Sequence, residues 1–325
     1  MAAIAFPQHT KSLNLSTGYT YSYVYIPATS VARPTLLFLH GFPSSCWDWR
    51  HQISFFASVG YGILAPDLLG YGGTSKPTSA QEYNGKRMSA EIAEILDVED
   101  LQRVHAVAHD TGCILLSRLA NYHPDRLLSC TFLAVPYSKP GEHFDLDAVN
   151  ATTKQILGKE RFGYIRFFTQ DGAGAALDEN SDSFFSLFYP ADHELWNDHL
   201  GPTGAVESWL QADRQGEKAP FITDEERAIH HAIMRGQHGP ALMWYRMLAW
   251  NLNEKDEVDA NLSPKIACPV LMVFSAPTAS QFPTGVQSND FADDLTVRGV
   301  STSGHWLQLE ARDEVNTILK GFFER

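Results

Sequence analysis

The chain has 325 residues, 44% of them hydrophobic and 12% aromatic, which is enough for one substantial core and too apolar for a disordered chain. That length exceeds the usual domain of roughly 100–200 residues, so one large domain or a domain carrying an insertion is expected. With 25 basic against 38 acidic residues the formal charge is -13 and the sequence pI about 5.4, which argues against DNA or RNA as a partner, because phosphate binding needs a basic footprint.

The stretch Met1-Ala2-Ala3-Ile4-Ala5-Phe6-Pro7 lacks a basic start and its apolar run is broken by Pro7, so it does not read as a secretory signal. No run of about 20 apolar residues offers a membrane span. Cys46, Cys113, Cys130 and Cys268 are scattered, without a Cys-x-x-Cys and His partner, so neither a metal cluster nor a disulfide framework is expected. A reduced intracellular compartment, the cytoplasm, is the expected setting.

Two alternating segments, Lys11–Ser16 and Tyr19–Ile26, flank Gly18 and predict an antiparallel hairpin. Residues Thr35–Leu39 are a short all-apolar run ending at His40-Gly41, as expected of a strand covered on both faces of a parallel sheet. Similar runs follow at Gly62–Pro66, Val104–Ala108, Cys130–Val135 and Pro269–Phe274, with Leu295–Val300 as a last strand. Helical patterns lie between them at Met88–Leu96 and Cys113–Tyr122, and again at Leu307–Leu319. Strands alternating with helices imply right-handed crossovers and a mostly parallel sheet with helices on both faces. From roughly Pro140 to Leu252 the alternation stops, and the text reads as helices rich in Phe, Trp and Tyr. The expected organisation is an α/β core of residues 1–139 and 253–325 interrupted by a helical insert, 140–252.

In open α/β sheets, ligands bind beyond the carboxyl ends of strands. The sharpest such end is Val107-Ala108-His109-Asp110-Thr111-Gly112-Cys113, where a strand enters small-x-Asp-x-small and then a helix. This is the pattern of a nucleophile elbow with Asp110 as the nucleophile, the small neighbours permitting a strained turn. Read alone it also suits a plain helix N-cap. His40-Gly41-Phe42-Pro43 suggests a loop whose amide faces an oxyanion, so that the Phe42 and Thr111 N–H groups form a two-donor hole. Ser303-Gly304-His305-Trp306, after the last strand, offers His305 as a general base. With 13 histidines in the chain, only its place after the nucleophile and the final strand singles it out.

On these motifs the chain resembles the α/β-hydrolase fold and, within it, the soluble epoxide hydrolases, over nearly its whole length. Ala65-Pro66-Asp67-Leu68-Leu69-Gly70-Tyr71-Gly72 is similar to that family's loop after the fourth strand. Two insert segments are more diagnostic: Phe162-Gly163-Tyr164-Ile165-Arg166-Phe167-Phe168 and Met243-Trp244-Tyr245-Arg246. The resemblance implies that the insert is a lid and that Tyr164 and Tyr245 hold the epoxide oxygen. Without it, both would read as aromatic lid packing.

Displacement at an epoxide carbon needs a nucleophile that is anionic at neutral pH and a proton donor for the leaving alkoxide. Aspartate, with a reference pKa of about 3.9, meets the first need, and a phenol, at about 10, meets the second. The expected product is a vicinal diol, formed from a small apolar epoxide and water with no cofactor. Insert aromatics such as Phe162, Phe184, Phe185, Phe188, Trp196, Trp209 and Trp250 are consistent with apolar binding, though many must simply pack the helices.

The chain departs from the family in two ways. Thr111 stands where a Trp is usual; it offers no indole N–H, which speaks against halide release by a haloalkane dehalogenase, and it leaves room for a bulkier substrate. The acid that orients the histidine is absent as well: Thr278 stands at its position after the seventh strand, and Ala134 at the alternative one after the sixth. In the serine-protease template, removing that acid costs about 10⁴-fold in rate. Either Asp290, Asp293 or Asp294 folds back as a surrogate, or Glu142 or Asp145 reaches His305, or hydrolysis of the alkyl ester that attack leaves on Asp110, by water that His305 activates, is slow. The last case leads to a non-hydrolytic cyclase or isomerase in which Asp110 acts as a base. A silent ligand-binding protein is the remaining reading.

Overall fold

The computed structural model describes residues 2–276, 290–302 and 304–325. Every residue of the runs Thr35–Leu39, Gly62–Pro66 and Val270–Ser275 is buried, as expected of strands with both faces covered. They belong to one eight-stranded sheet: β1 (Thr10–Asn14), β2 (Thr20–Ile26), β3 (Thr35–Leu39), β4 (Gly62–Pro66), β5 (Val104–His109), β6 (Leu127–Leu133), β7 (Val270–Ser275) and β8 (Leu295–Val300). The spatial order is β1-β2-β4-β3-β5-β6-β7-β8. β1 and β2 pair antiparallel, β2 joins β4 antiparallel, and every later pairing is parallel.

The chain divides into two compact units. One contains the whole sheet and is made of residues up to Ser75, Asn84–Glu142 and the chain from Asn253 onward; the other is helical, from His143–Leu252 together with Lys76–Tyr83. The short Lys76–Tyr83 piece is absent from the insert expected at 140–252. It joins the helical unit because the turn Ala80–Tyr83 packs on the helix Met243–Ala249, with the Tyr83 and Trp244 ring centroids 6.3 Å apart.

In the sheet unit, the helix Gly85–Val98 is capped by Asn84, whose side chain accepts from the Arg87 amide, and it buries Met88, Ile92, Ile95 and Leu96 along one stripe. The carboxyl-terminal helix Arg312–Phe323 does the same with Val315, Leu319 and Phe322. Several boundaries shift by one to three residues from those expected, and two of the shifts have a visible cause in the backbone. The sixth strand begins at Leu127 and stops at Leu133, because Ala134 takes a left-handed φ of 64°. The helix expected over Leu307–Leu319 breaks at Ala311, whose φ of -119° and ψ of 40° leave the helical region. Among the described residues no helix is long and apolar enough to cross a membrane.

Candidate active site

β5 ends at His109, and the chain turns at Asp110 with φ 52°, a left-handed conformation that aspartate tolerates better than most side chains. The helix Gly112–Tyr122 starts two residues on. That turn needs a close approach, since a Cβ at Gly112 would lie 2.5 Å from the carbonyl oxygens of Leu39 and His40. Replacing Gly112 by Ala is therefore expected to cost about 1–3 kcal/mol, as over-packing against fixed backbone does. A thermal unfolding scan checks it, and an unchanged melting temperature would contradict the close approach.

The Asp110 carboxylate does not cap the helix. Its Oδ1 accepts from the Phe42 amide at 2.9 Å, and its Oδ2 lies 3.4 Å from His305 Nε2. Gly41 permits this, because a Cβ there would come within 2.4 Å of the Asp110 side chain. The loop is fixed through His40, whose Nε2 accepts from the Leu68 amide at 3.0 Å while its Nδ1–H donates to the Gly41 carbonyl at 2.9 Å. Burial lowers the His40 pKa to about 4, which keeps this ring neutral. The buried Thr111 amide, which a helix start leaves without an intrahelical partner, donates no hydrogen bond among the described residues. The amides expected at Phe42 and Thr111 thus both border the Asp110 turn, one engaged and one open.

Burial alone would raise the Asp110 pKa. The hydrogen bond and charge interaction with His305, the nearby His109 and the Phe42 amide outweigh it and bring the value down to about 2. The group is ionised at neutral pH without help from a base. Its ionisation stabilises the fold above the unfolded-chain value of about 3.9, and that contribution disappears as pH falls through about 2.

His305 is held through its backbone. Its carbonyl accepts from His109 Nε2 at 2.9 Å, and the two rings lie 4.6 Å apart between centroids. Burial lowers the His109 pKa to about 3, so that ring is a neutral donor, its tautomer assigned from the bond it makes. On the other side the Glu310 carboxylate accepts from the Trp306 amide at 2.7 Å and from the Thr302 hydroxyl. A Cβ at Gly304 would overlap that carboxylate. His109 and Glu310 had no role in the sequence reading. Their signals are a His directly before the elbow aspartate and a Glu one helical turn after Trp306.

The expected surrogate acids are not brought to His305. Asp290, Asp293 and Asp294 are exposed and precede β8, whereas His305 follows it, and Asp293 instead pairs with Lys265 at 3.1 Å. Six strand residues at about 3.3 Å each put roughly 20 Å between the two ends of β8. Glu142 is exposed, and Asp145 caps the helix Leu146–Leu157 through the Ala148 amide at 3.0 Å. Ala134 supplies no charge; its amide donates to the Val273 carbonyl at 3.0 Å. Thr278 lies outside the described residues. Among the described residues, no three His, Cys, Asp or Glu side chains gather to hold a metal ion.

In the helical unit Tyr164 and Tyr245 meet edge to face, with ring centroids 5.9 Å apart. Tyr164 opens the helix Tyr164–Phe168, preceded by Gly163, where a Cβ would lie 2.2 Å from the Thr203 nitrogen. Tyr245 is set by its neighbours in sequence: Trp244 is buried, and Arg246 donates to the Gln170 carbonyl at 2.9 Å. Phe168 touches both tyrosines and also Phe184 and Phe188. Phe167, Phe168, Phe184, Phe185, Phe188, Trp209 and Trp244 are buried and Trp250 is 49% exposed.

A family model described as the alpha/beta hydrolase fold matches residues 34–311. Epoxide hydrolase A of Mycobacterium tuberculosis is 30% identical over 315 residues, which cover 91% of this chain and 92% of that protein. Bifunctional epoxide hydrolase 2 of Mus musculus is 28% identical over 291 residues, 88% of this chain; the match spans about half (51%) of that longer protein. Among solved structures, epoxide hydrolase A from Mycobacterium thermoresistibile superimposes with a TM-score of 0.77 at 25% identity, covering 96% of this chain and 97% of that one. An epoxide hydrolase from an endophytic Streptomyces has the same fold, with a TM-score of 0.77 at 23% identity over 97% of this chain and 95% of that one.

Proposed function

This chain belongs to the epoxide hydrolases of the α/β-hydrolase fold, and from that premise we propose that it hydrolyses an apolar organic epoxide to a vicinal diol through an ester on Asp110. Asp110 Oδ2 attacks a ring carbon, while the phenols of Tyr164 and Tyr245 hold the epoxide oxygen and give it a proton. The ester keeps Oδ1 as its carbonyl oxygen, already bonded to the Phe42 amide at 2.9 Å. His305 then takes a proton from water, water attacks Cγ, and the Phe42 and Thr111 amides stabilise the tetrahedral oxyanion. Protonated His305 gives its proton to the departing alkoxide, the water's remaining proton re-forms the phenol through solvent, and the diol leaves with the carboxylate restored. We take the helical unit as the lid and the cytoplasm as the setting, and the chemistry calls for no metal or organic cofactor.

The observation that carries this reading is the Asp110 carboxylate itself: ionised, with one oxygen on an amide donor and the other 3.4 Å from a histidine nitrogen. The test is a panel of aryl and alkyl epoxides in ¹⁸O-water with enzyme in excess. In a single turnover the diol should be unlabelled and the label should sit on Asp110. Label in the diol would mean direct attack by water, and absence of diol across the panel would sink the reading. The phenols have their own test. General-acid help is worth about 10²–10⁴-fold; shared between two groups, it predicts that Tyr164→Phe and Tyr245→Phe each slow ester formation by roughly 10–100-fold, and together by more. Pre-steady-state loss of epoxide measures it.

One observation favours a second reading. No carboxylate stands at Ala134, and Asp290, Asp293 and Asp294 occupy the far end of β8. Were Asp110 to act as a base, opening an epoxide with an internal hydroxyl, no ester would form and no orienting acid would be needed.

A further inference from the structure

Two of the scattered cysteines meet in the fold. Cys130 lies on β6 and is fully buried; Cys268 stands two residues before β7 and is half-buried; their Sγ atoms are 3.7 Å apart. The contact is fixed by the sheet, because Cys130 pairs with Val270 across β6 and β7 and its amide donates to the Pro269 carbonyl at 3.0 Å. We propose that Cys130 and Cys268 form a reversible modification site, closing to an internal disulfide when the protein meets a small disulfide oxidant such as oxidised glutathione.

The two thiols are not equivalent. Cys130, beside it, holds the Cys268 thiol below the ordinary range, against the opposing effect of its own burial, and the Arg103 guanidinium adds to the lowering. The Cys130 thiol is pushed up by Cys268 and by burial. Cys268 is thus the attacking group, both more exposed and more readily ionised, and Cys130 resolves. Cys268 thiolate attacks one sulfur of oxidised glutathione and expels a glutathione thiolate. Cys130 then attacks Cys268 Sγ and expels the second glutathione, its proton passing to the departing glutathione thiolate. The protein gives up two electrons and two protons, and one oxidised glutathione becomes two reduced ones.

The position gives the bridge its consequence. The cysteines are 138 residues apart in the chain, and the segment His143–Leu252 lies entirely between them. The disulfide would enclose the His143–Leu252 part of the helical unit in one covalently closed loop, leaving Lys76–Tyr83 outside it. Cys130 is level with Ala106 on β5, four residues before Asp110, so the bridge forms well short of the catalytic end of the sheet.

The experiment treats the full chain with oxidised glutathione and reads intact mass, free thiols and fragments after a brief tryptic cut near the exposed Lys154 and Lys159. The expected result is loss of two hydrogens and two titratable thiols, with cut halves that stay joined without reductant and separate with it. Diol formation should be unchanged, and Cys268→Ser should abolish all three signals. A stable mixed disulfide with glutathione on Cys268, no change in mass, or the same loss of two hydrogens in Cys268→Ser would each overturn the proposal.

Discussion

Replacing Asp110 by Asn or by Ala is expected to reduce diol formation by about 10⁴–10⁶-fold, the scale seen when a covalent nucleophile is removed. The Asn variant is the sharper test, since it keeps the shape, tolerates φ 52° and still offers an oxygen to the Phe42 amide. It should retain the fold by circular dichroism while losing the negative charge on which the attack depends. Residual turnover within about tenfold of wild type, outside the range a lost nucleophile allows, would show that the carboxylate only orders the site.

His305→Gln is expected to separate the two halves of the reaction. Ester formation needs no base, because Asp110 is already ionised. Losing the His305 interaction raises the Asp110 pKa from about 2 and leaves His109 and the Phe42 amide to oppose burial. The variant should consume one equivalent of epoxide and stop, with the substrate's mass added to Asp110 and steady-state turnover down by about 10²–10⁴-fold, the share of a general base. Peptide mapping after acid quench reads the adduct. Its appearance would exclude the cyclase or isomerase alternative; diol formation at the wild-type rate would remove His305 from the mechanism.

The sheet could be read from the sequence because a strand buried on both faces leaves an unbroken apolar run, as at Thr35–Leu39 and Val270–Ser275. The Asp110 elbow was legible for a related reason: the turn tolerates only small neighbours, and Gly112 records that limit in its identity. Other features leave no such trace. His109 and Glu310 act on the backbone around His305, and any donor or acceptor of the right length would look the same in one dimension. Asp290, Asp293 and Asp294 looked near His305 because they are near in sequence, but a strand carries its two ends apart. The attachment of Lys76–Tyr83 to the helical unit depends on Tyr83 meeting Trp244, a contact between residues far apart in the chain.

The two oxygens of Asp110 have different anchors, an amide for Oδ1 and a histidine nitrogen for Oδ2. Under the ester mechanism each cycle discards Oδ2 into product and refills that place from solvent, while Oδ1 is never exchanged unless the carboxylate flips about Cβ–Cγ. After many cycles in heavy-oxygen water the residue should carry one heavy atom and one original atom. That isotopic memory would record how rarely the carboxylate turns over in its socket, and the slow arrival of a second heavy atom would give the flipping rate.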